Sequence, residues 1–146
     1  MAKSELRPYP TKVLLAWAEA ISGSDEFRDW LMGSEYPELG VFCHAMHNEE
    51  TSRAWLRHKQ HHVLLALLEG AEGDEQAVGW LKDQNQPVLA DMALAADNDE
   101  EAMSRLMAPA AQGKGDGLWA QIAKRICDVK NEIESMNNDV HRIDPN

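Results

Sequence analysis

The chain has 146 residues, which is the size of one ordinary domain. Its 14 Lys and Arg residues are outnumbered by 25 Asp and Glu residues, so the formal net charge at pH 7 is −11. This balance excludes a nucleic-acid reader, which needs a basic face for phosphates. A composition of 44% hydrophobic and 27% charged residues excludes a disordered chain.

The cysteine content and the apolar runs indicate the compartment. Cys43 and Cys127 are too few for a disulfide scaffold. The apolar run from Val13 to Ala18 is shorter than the core of a signal peptide, which needs roughly seven to fifteen residues. No run approaches the roughly 18 apolar residues of a membrane span. We therefore expect a cytoplasmic protein with no membrane partner.

A repeat of 25 residues organises the chain from residue 12 to residue 107, after an N-terminal segment of residues 1–11. The dipeptide Trp-Leu recurs at this spacing, and one step further the Leu persists while the Trp is replaced by Arg. A period of this length is typical of stacked repeats. The pairs are Trp30-Leu31, Trp55-Leu56, Trp80-Leu81 and Arg105-Leu106.

Each repeat is predicted to be a short helical hairpin. In the first helix, Leu14, Trp17, Ala18 and Ile21 are spaced by three and four residues and share one helical face. A polar break follows, and acidic residues then open the second helix, where they favour the positive end of the helix dipole. Strand signals are absent. The residues assigned to the core of the repeats are Trp17, Trp30, Phe42, Trp55, Leu67, Trp80, Met92 and Leu106.

The repeats also resemble a known family. The stretch from Ala95 to Met107 is similar to the helix–turn–helix part of an ankyrin repeat, and so is the stretch from Gly70 to Leu81. The family's Thr-Pro-Leu-His box is missing, and the period is 25 residues where the family has 33. The resemblance implies an all-α fold, a short α-solenoid of about four helical hairpins, whose surface binds proteins more often than it catalyses.

The tail is predicted to be a separate module. Residues 108–117 have the composition of a linker, and residues 118–143 are predicted to form an amphipathic helix. Its apolar seam either packs along the solenoid or pairs with a second copy in a homodimer. The seam consists of Trp119, Ile122, Ile126, Val129, Ile133, Met136, Val140 and Ile143.

Five of the six histidines fall within one stretch of the sequence. His44 and His47 stand three residues apart on a predicted helix, and so do His58 and His61. This spacing allows each pair to share a metal ion. Surface histidines without a metal are the favoured interpretation, and the sequence predicts no catalytic residue, metal ligand or cofactor. The five are His44, His47, His58, His61 and His62.

The same stretch contains the one basic cluster of the repeat region. It interrupts an otherwise acidic repeat, and we take it as the candidate interaction patch. A solvated helix face with ordinary cations is the alternative. The patch consists of Arg53, Arg57, His58, Lys59, His61 and His62.

Three functions are compatible with these patterns. The first is a non-enzymatic protein–protein interaction module, an acidic binder or adaptor whose charge favours a basic partner. The second is a metal-binding protein that uses the cluster from His44 to His62. The third is a structural subunit that assembles through the C-terminal heptad helix. If the Trp residues of the repeat prove to be exposed, their row becomes a candidate binding stripe.

Overall fold

The computed structural model describes residues 8–115 and 117–143, with side chains up to residue 136. These residues form nine α-helices and no strand, which confirms the all-α fold class. Neighbouring helices pack in sequence order, as expected for helical repeats followed by a C-terminal helix. The helices are α1 Thr11–Ile21, α2 Asp25–Met32, α3 Pro37–Met46, α4 Glu50–His58, α5 His62–Ala71, α6 Glu75–Asp83, α7 Pro87–Ala96, α8 Glu100–Ala111 and α9 Leu118–Ile143.

The turn inside each hairpin has the same backbone conformation in all four repeats. Its residue with positive φ recurs every 25 positions: Gly23 at 111°, Asn48 at 63°, Gly73 at 105° and Asn98 at 72°. Gly adopts this left-handed conformation without a steric penalty, and Asn tolerates it better than most residues. The polar breaks of the sequence are therefore the points where the chain reverses.

Helix starts follow the same period. The side chains of Ser24, Asp74 and Asp99 accept hydrogen bonds from backbone N–H groups in the first turns of α2, α6 and α8. Pro37 and Pro87 begin α3 and α7, where no backbone donor is needed. Caps and prolines thus place both helices of a hairpin in register with the sequence repeat.

The first helix of each hairpin lies inside the molecule and the second lies outside. Helices α1, α3, α5 and α7 each bury six to eight residues, whereas α2, α4, α6 and α8 each bury one to three. The inner helices approach each other closely, since a Cβ atom on Gly70 would lie 2.9 Å from the Cβ of Ala93. Small residues on the inner helices therefore allow α5 to pack against α7.

Helix α9 packs against α1 and α7 and so joins the first hairpin to the last. Ile122 and Ile126 are fully buried against the chain's own repeats, and Trp119 and Val129 pack on the core as partly buried residues. The first half of the seam is thus covered by the chain's own first and last hairpins. The seam residues Val140 and Ile143 have side chains outside the described part of the structure.

The predicted linker is partly helical, which corrects the boundary at residue 108. Helix α8 continues to Ala111 and includes Pro109. Ala108, Ala110 and Ala111 are strong helix formers, and Pro109 removes only one backbone hydrogen bond close to the helix end. The irregular connection to α9 is therefore shorter than the composition predicts.

The assignment of Trp30 to the core is wrong, because 43% of the residue is exposed. The neighbouring Leu31 is fully buried, as are Leu56 and Leu81 at the equivalent positions. Adjacent residues of a helix point about 100° apart, so only one member of each Trp-Leu pair can face the inner helices. Among the other assigned residues, Trp17, Phe42, Leu67 and Met92 are fully buried, while Trp55, Trp80 and Leu106 are partly buried.

Candidate interaction surface

The two ends of the hairpins form two different edges of the molecule. We call the end where α2, α4 and α6 finish and the next hairpin begins the tryptophan edge, after Trp30, Trp55 and Trp80. We call the opposite end, which contains the turns inside the hairpins, the acidic edge; it comprises residues 21–27, 46–52, 71–77 and 96–102. Each hairpin contributes the same structural positions to both edges.

The tryptophan edge presents one partly exposed indole in each of the first three hairpins. Trp30 lies beside the ammonium group of Lys12, whose Nζ is 5.8 Å from the ring centroid. Trp55 stacks on His61, with ring centroids 5.7 Å apart and an interplanar angle of 15°. Both indoles are therefore held in place while part of each ring remains accessible to a partner.

A groove lies beside the third indole. It has a volume of about 460 Å³ and is lined by Trp80, His62, Leu65 and Ala77, among other residues of α5 and α6. Leu65 and Ala77 are buried and form its apolar floor, whereas His62 is exposed at its rim. An apolar floor with a polar rim is the usual composition of a protein-binding surface.

The structure divides the basic patch predicted from the sequence. Arg57, His58 and Lys59 are exposed at the end of α4, where positive charge is favoured by the helix dipole. His61, which stacks on Trp55, and His62, which lines the groove beside Trp80, lie at the same end of the hairpins. These five residues of the patch therefore belong to the tryptophan edge.

Arg53, the sixth residue of the predicted patch, does not lie at the tryptophan edge. Its guanidinium donates two hydrogen bonds to the carboxylate of Glu72, at 2.9 and 2.7 Å, and a third to the carbonyl of Ala45 at 3.2 Å. Its side chain is only 13% exposed, and the hydrogen bond to Glu72 raises the pKa of Arg53 above its usual value. Arg53 therefore links the second hairpin to the third and is a structural residue.

The histidines are divided in the same way. His44 and His47 lie at the end of α3 near the acidic edge, and Nδ1 of His44 is 3.1 Å from Oε2 of Glu49. His58, His61 and His62 lie at the tryptophan edge. Within the part of the chain that the structure describes, no group of three His, Cys, Asp or Glu residues is arranged to hold a metal ion.

The acidic edge contains eleven carboxylates and no Lys or Arg. Asp74 and Asp99 cap helices, and Glu72 pairs with Arg53, but most of the others are exposed. By contrast, residues 30–36, 55–61 and 80–86 of the tryptophan edge contain two carboxylates and three Lys or Arg residues. The carboxylates are Asp25, Glu26, Glu49, Glu50, Glu72, Asp74, Glu75, Asp97, Asp99, Glu100 and Glu101.

The two cations nearest to the seam of α9 bind the chain's own repeats. Nη1 of Arg125 donates to the carbonyl of Ala18 at 3.2 Å and to Oγ of Ser22 at 3.0 Å. The ammonium of Lys130 donates to Asp97 at 2.7 Å. These contacts hold the first half of α9 between the first and last hairpins.

Both thiols are buried. Burial raises the pKa of the Cys43 thiol to about 12, because removal from water disfavours the charged thiolate. Sγ of Cys127 contacts the side-chain oxygen of Asn98 at 3.3 Å. Cys43 is therefore a packed core residue with a protonated thiol at neutral pH.

Comparison with known proteins adds no relative. No protein-family model, curated protein or solved structure matches the chain. The resemblance to ankyrin repeats accordingly stays a prediction. Among the described residues, no helix combines the length and the apolar character needed to cross a membrane.

Proposed function

We propose that this chain is a non-enzymatic protein–protein interaction module and that the tryptophan edge is its binding surface. The observation that carries the proposal is the row of three partly exposed indoles, one at the same position of each successive hairpin. Tryptophan is enriched among the residues that dominate binding energies at protein interfaces. A row of indoles fixed by Lys12 and His61 presents this surface in a preorganised form.

The charges at the tryptophan edge indicate which chemical groups a partner presents to it. Arg57, His58 and Lys59 are exposed at the end of α4, the helix that carries Trp55, so the contacting surface of a partner combines apolar groups with carboxylates. The groove beside Trp80 is also lined by the carboxylates Glu69 and Asp74. We therefore expect the carboxylates of a partner to contact the end of α4 and its apolar groups to contact the groove.

The test compares three baits in extracts of the source cells at low salt. The baits are the unchanged chain, a Trp30→Ala/Trp80→Ala variant, and a Met107→Ala control that removes an exposed apolar side chain from α8. We expect one dominant protein on the unchanged chain and on the control, and its loss on the double Trp variant.

Folding of each bait is checked by circular dichroism and thermal unfolding. Retention of no specific protein at low salt would contradict the interaction function. Equal retention of the same protein by all three baits would instead place the binding surface elsewhere on the molecule.

A further inference from the structure

Helix α9 changes its environment along its length. Ile122 and Ile126 are buried between the first and last hairpins, Ile133 is half-buried, and Met136 is 59% exposed. The helix begins after α8, runs alongside α1 and α7, and passes the turns of the hairpins near Asp97 and Asn98. The stretch of α9 from Lys130 to Met136 therefore lies at the acidic edge, and Met136 of the apolar seam is uncovered there.

Two grooves flank this part of the helix and share Ile133 and Asn48. The larger has a volume of about 460 Å³, and its apolar lining consists of Ile21, Val129, Ile133 and Met136. The smaller, of about 200 Å³, lies on the other side of Ile133. Its apolar lining consists of Met46, Leu68, Ala71, Ile126 and Ile133.

Carboxylates outnumber cations around both grooves, although His47 lines the larger one and Arg125 donates a hydrogen bond to Ser22 in its lining. Glu132 lines the larger groove and Glu134 the smaller one, and both residues are exposed. The turns that line the larger groove lead directly into Asp25-Glu26 and Glu49-Glu50. Lys130 lines the smaller groove, and its ammonium is paired with Asp97. An apolar seam thus lies inside a field of carboxylates.

We propose that the face of α9 formed by Val129, Ile133 and Met136, together with the larger groove, binds an amphipathic helix with a basic polar face, supplied by a partner protein. Its apolar side chains would pack on Val129, Ile133 and Met136, as in other helix-in-groove complexes. Its Lys and Arg residues would meet Glu132 and the carboxylates of the acidic edge. This surface is distinct from the tryptophan edge and does not depend on binding there.

Electrostatics favours a basic partner over a second copy of this chain. Two copies that pair through this part of α9 would bring two acidic edges together, each with eleven carboxylates. Juxtaposed like charges oppose association, whereas a basic helix gains from the same field. The apolar seam would accept either a basic helix of a partner or a second copy of this chain. The negative charge around the seam favours the basic helix.

The test uses two fluorescein-labelled peptides of about 18 residues, or five helical turns. Both peptides carry the same leucine face, with either lysine or glutamate on the polar face. Fluorescence anisotropy with the full chain measures each dissociation constant. We expect the lysine peptide to bind at least about tenfold more tightly than the glutamate peptide, and to weaken severalfold between about 50 and about 200 mM salt.

Two pairs of variants locate the site. Met136→Gln is expected to weaken binding of the lysine peptide about tenfold, whereas Met107→Gln, which changes a methionine of similar exposure on α8, leaves it unchanged. Glu132→Gln/Glu134→Gln is expected to weaken binding more than Glu100→Gln/Glu101→Gln, which removes the same charge from the fourth hairpin.

The proposal would be overturned if the two variants of either pair weakened binding of the lysine peptide equally. Binding would then depend on the net charge of the chain or on any exposed methionine, and not on this site. A concentration-dependent dimer in sedimentation velocity that Met136→Gln abolishes would also overturn it and would assign the surface to a second copy. Neither result depends on the Trp30→Ala/Trp80→Ala variant. A failure of the proposal for α9 can therefore be distinguished from a failure of the proposal for the tryptophan edge.

Discussion

The tryptophan edge and the acidic edge are built from the same four hairpins, yet they differ in chemistry. Every turn at the acidic edge is followed by carboxylates in the first turn of the next helix, at α2, α4, α6 and α8. The other ends of α2, α4 and α6 carry the indoles, and the ends of α4 and α6 also carry cations. A carboxylate at one helix N-terminus is a local preference worth a fraction of a kcal/mol.

Repetition converts this local preference into a property of the whole molecule. In a stack of hairpins all the second helices point the same way, so all their N-termini lie on one edge. Carboxylates that each stabilise one helix are thereby collected on one side. The net charge of −11 is therefore concentrated at the acidic edge, where it surrounds the uncovered seam of α9.

The largest expected effect tests which member of the Trp-Leu pair belongs to the core. Leu31→Ala should lower the free energy of unfolding by about 3 kcal/mol, because it leaves a cavity at a fully buried position. Trp30→Ala should lower it by about 1 kcal/mol or less, since much of the ring is exposed. Urea denaturation measures both, and an equal loss from the two variants would show that Trp30 is a core residue.

An intermediate effect separates the two arginines of α4. Arg53→Ala should lower the free energy of unfolding by about 1–2 kcal/mol, because it removes charge-assisted hydrogen bonds to Glu72 and leaves Ala45 without this donor. Arg57→Ala should change it by less than about 0.5 kcal/mol, since this side chain is exposed. If thermal or urea unfolding ranks the two in the opposite order, Arg53 does not link the second and third hairpins.

The smallest effect tests the role of the acidic edge in helix capping. Asp99→Ala should lower the free energy of unfolding by about 1 kcal/mol, because the Asp99 carboxylate accepts a hydrogen bond from the backbone N–H of Ala102. Asp99→Asn should retain most of the stability, and Glu100→Ala serves as the control that removes the same charge without a cap. Equal losses from Asp99→Ala and Glu100→Ala would mean that charge, and not capping, stabilises α8.

Much of the fold was predictable from the repeat. The period of 25 residues placed the turns, because Gly23, Asn48, Gly73 and Asn98 are the residue types that adopt a positive φ. The spacing of the apolar residues in the first helices also predicted helices packed in sequence order. These features depend on interactions between residues close in the chain, which a sequence pattern records directly.

The candidate surfaces were only partly predictable. Arg53 and Arg57 stand one helical turn apart and were assigned to one patch, but Arg53 reaches Glu72, which is 19 residues further along the chain. Trp30 and Leu31 are both apolar, so composition could not decide which of them faces the inner helices. For Arg53 the deciding contact comes from a different hairpin, and for the Trp-Leu pair the choice depends on how α2 packs on the inner helices.

The sequence by itself determined the all-α class, the four hairpins and the excess of negative charge at helix starts, because period, turn residues and helix caps are local properties. Only the tertiary structure decided that α9 packs on α1 and α7, where it buries Ile122 and Ile126 and leaves Met136 exposed. A heptad seam has the same pattern whether its partner is the same chain or another one. Which part of the seam is covered depends on where α1 and α7 end, and that is a matter of three-dimensional packing.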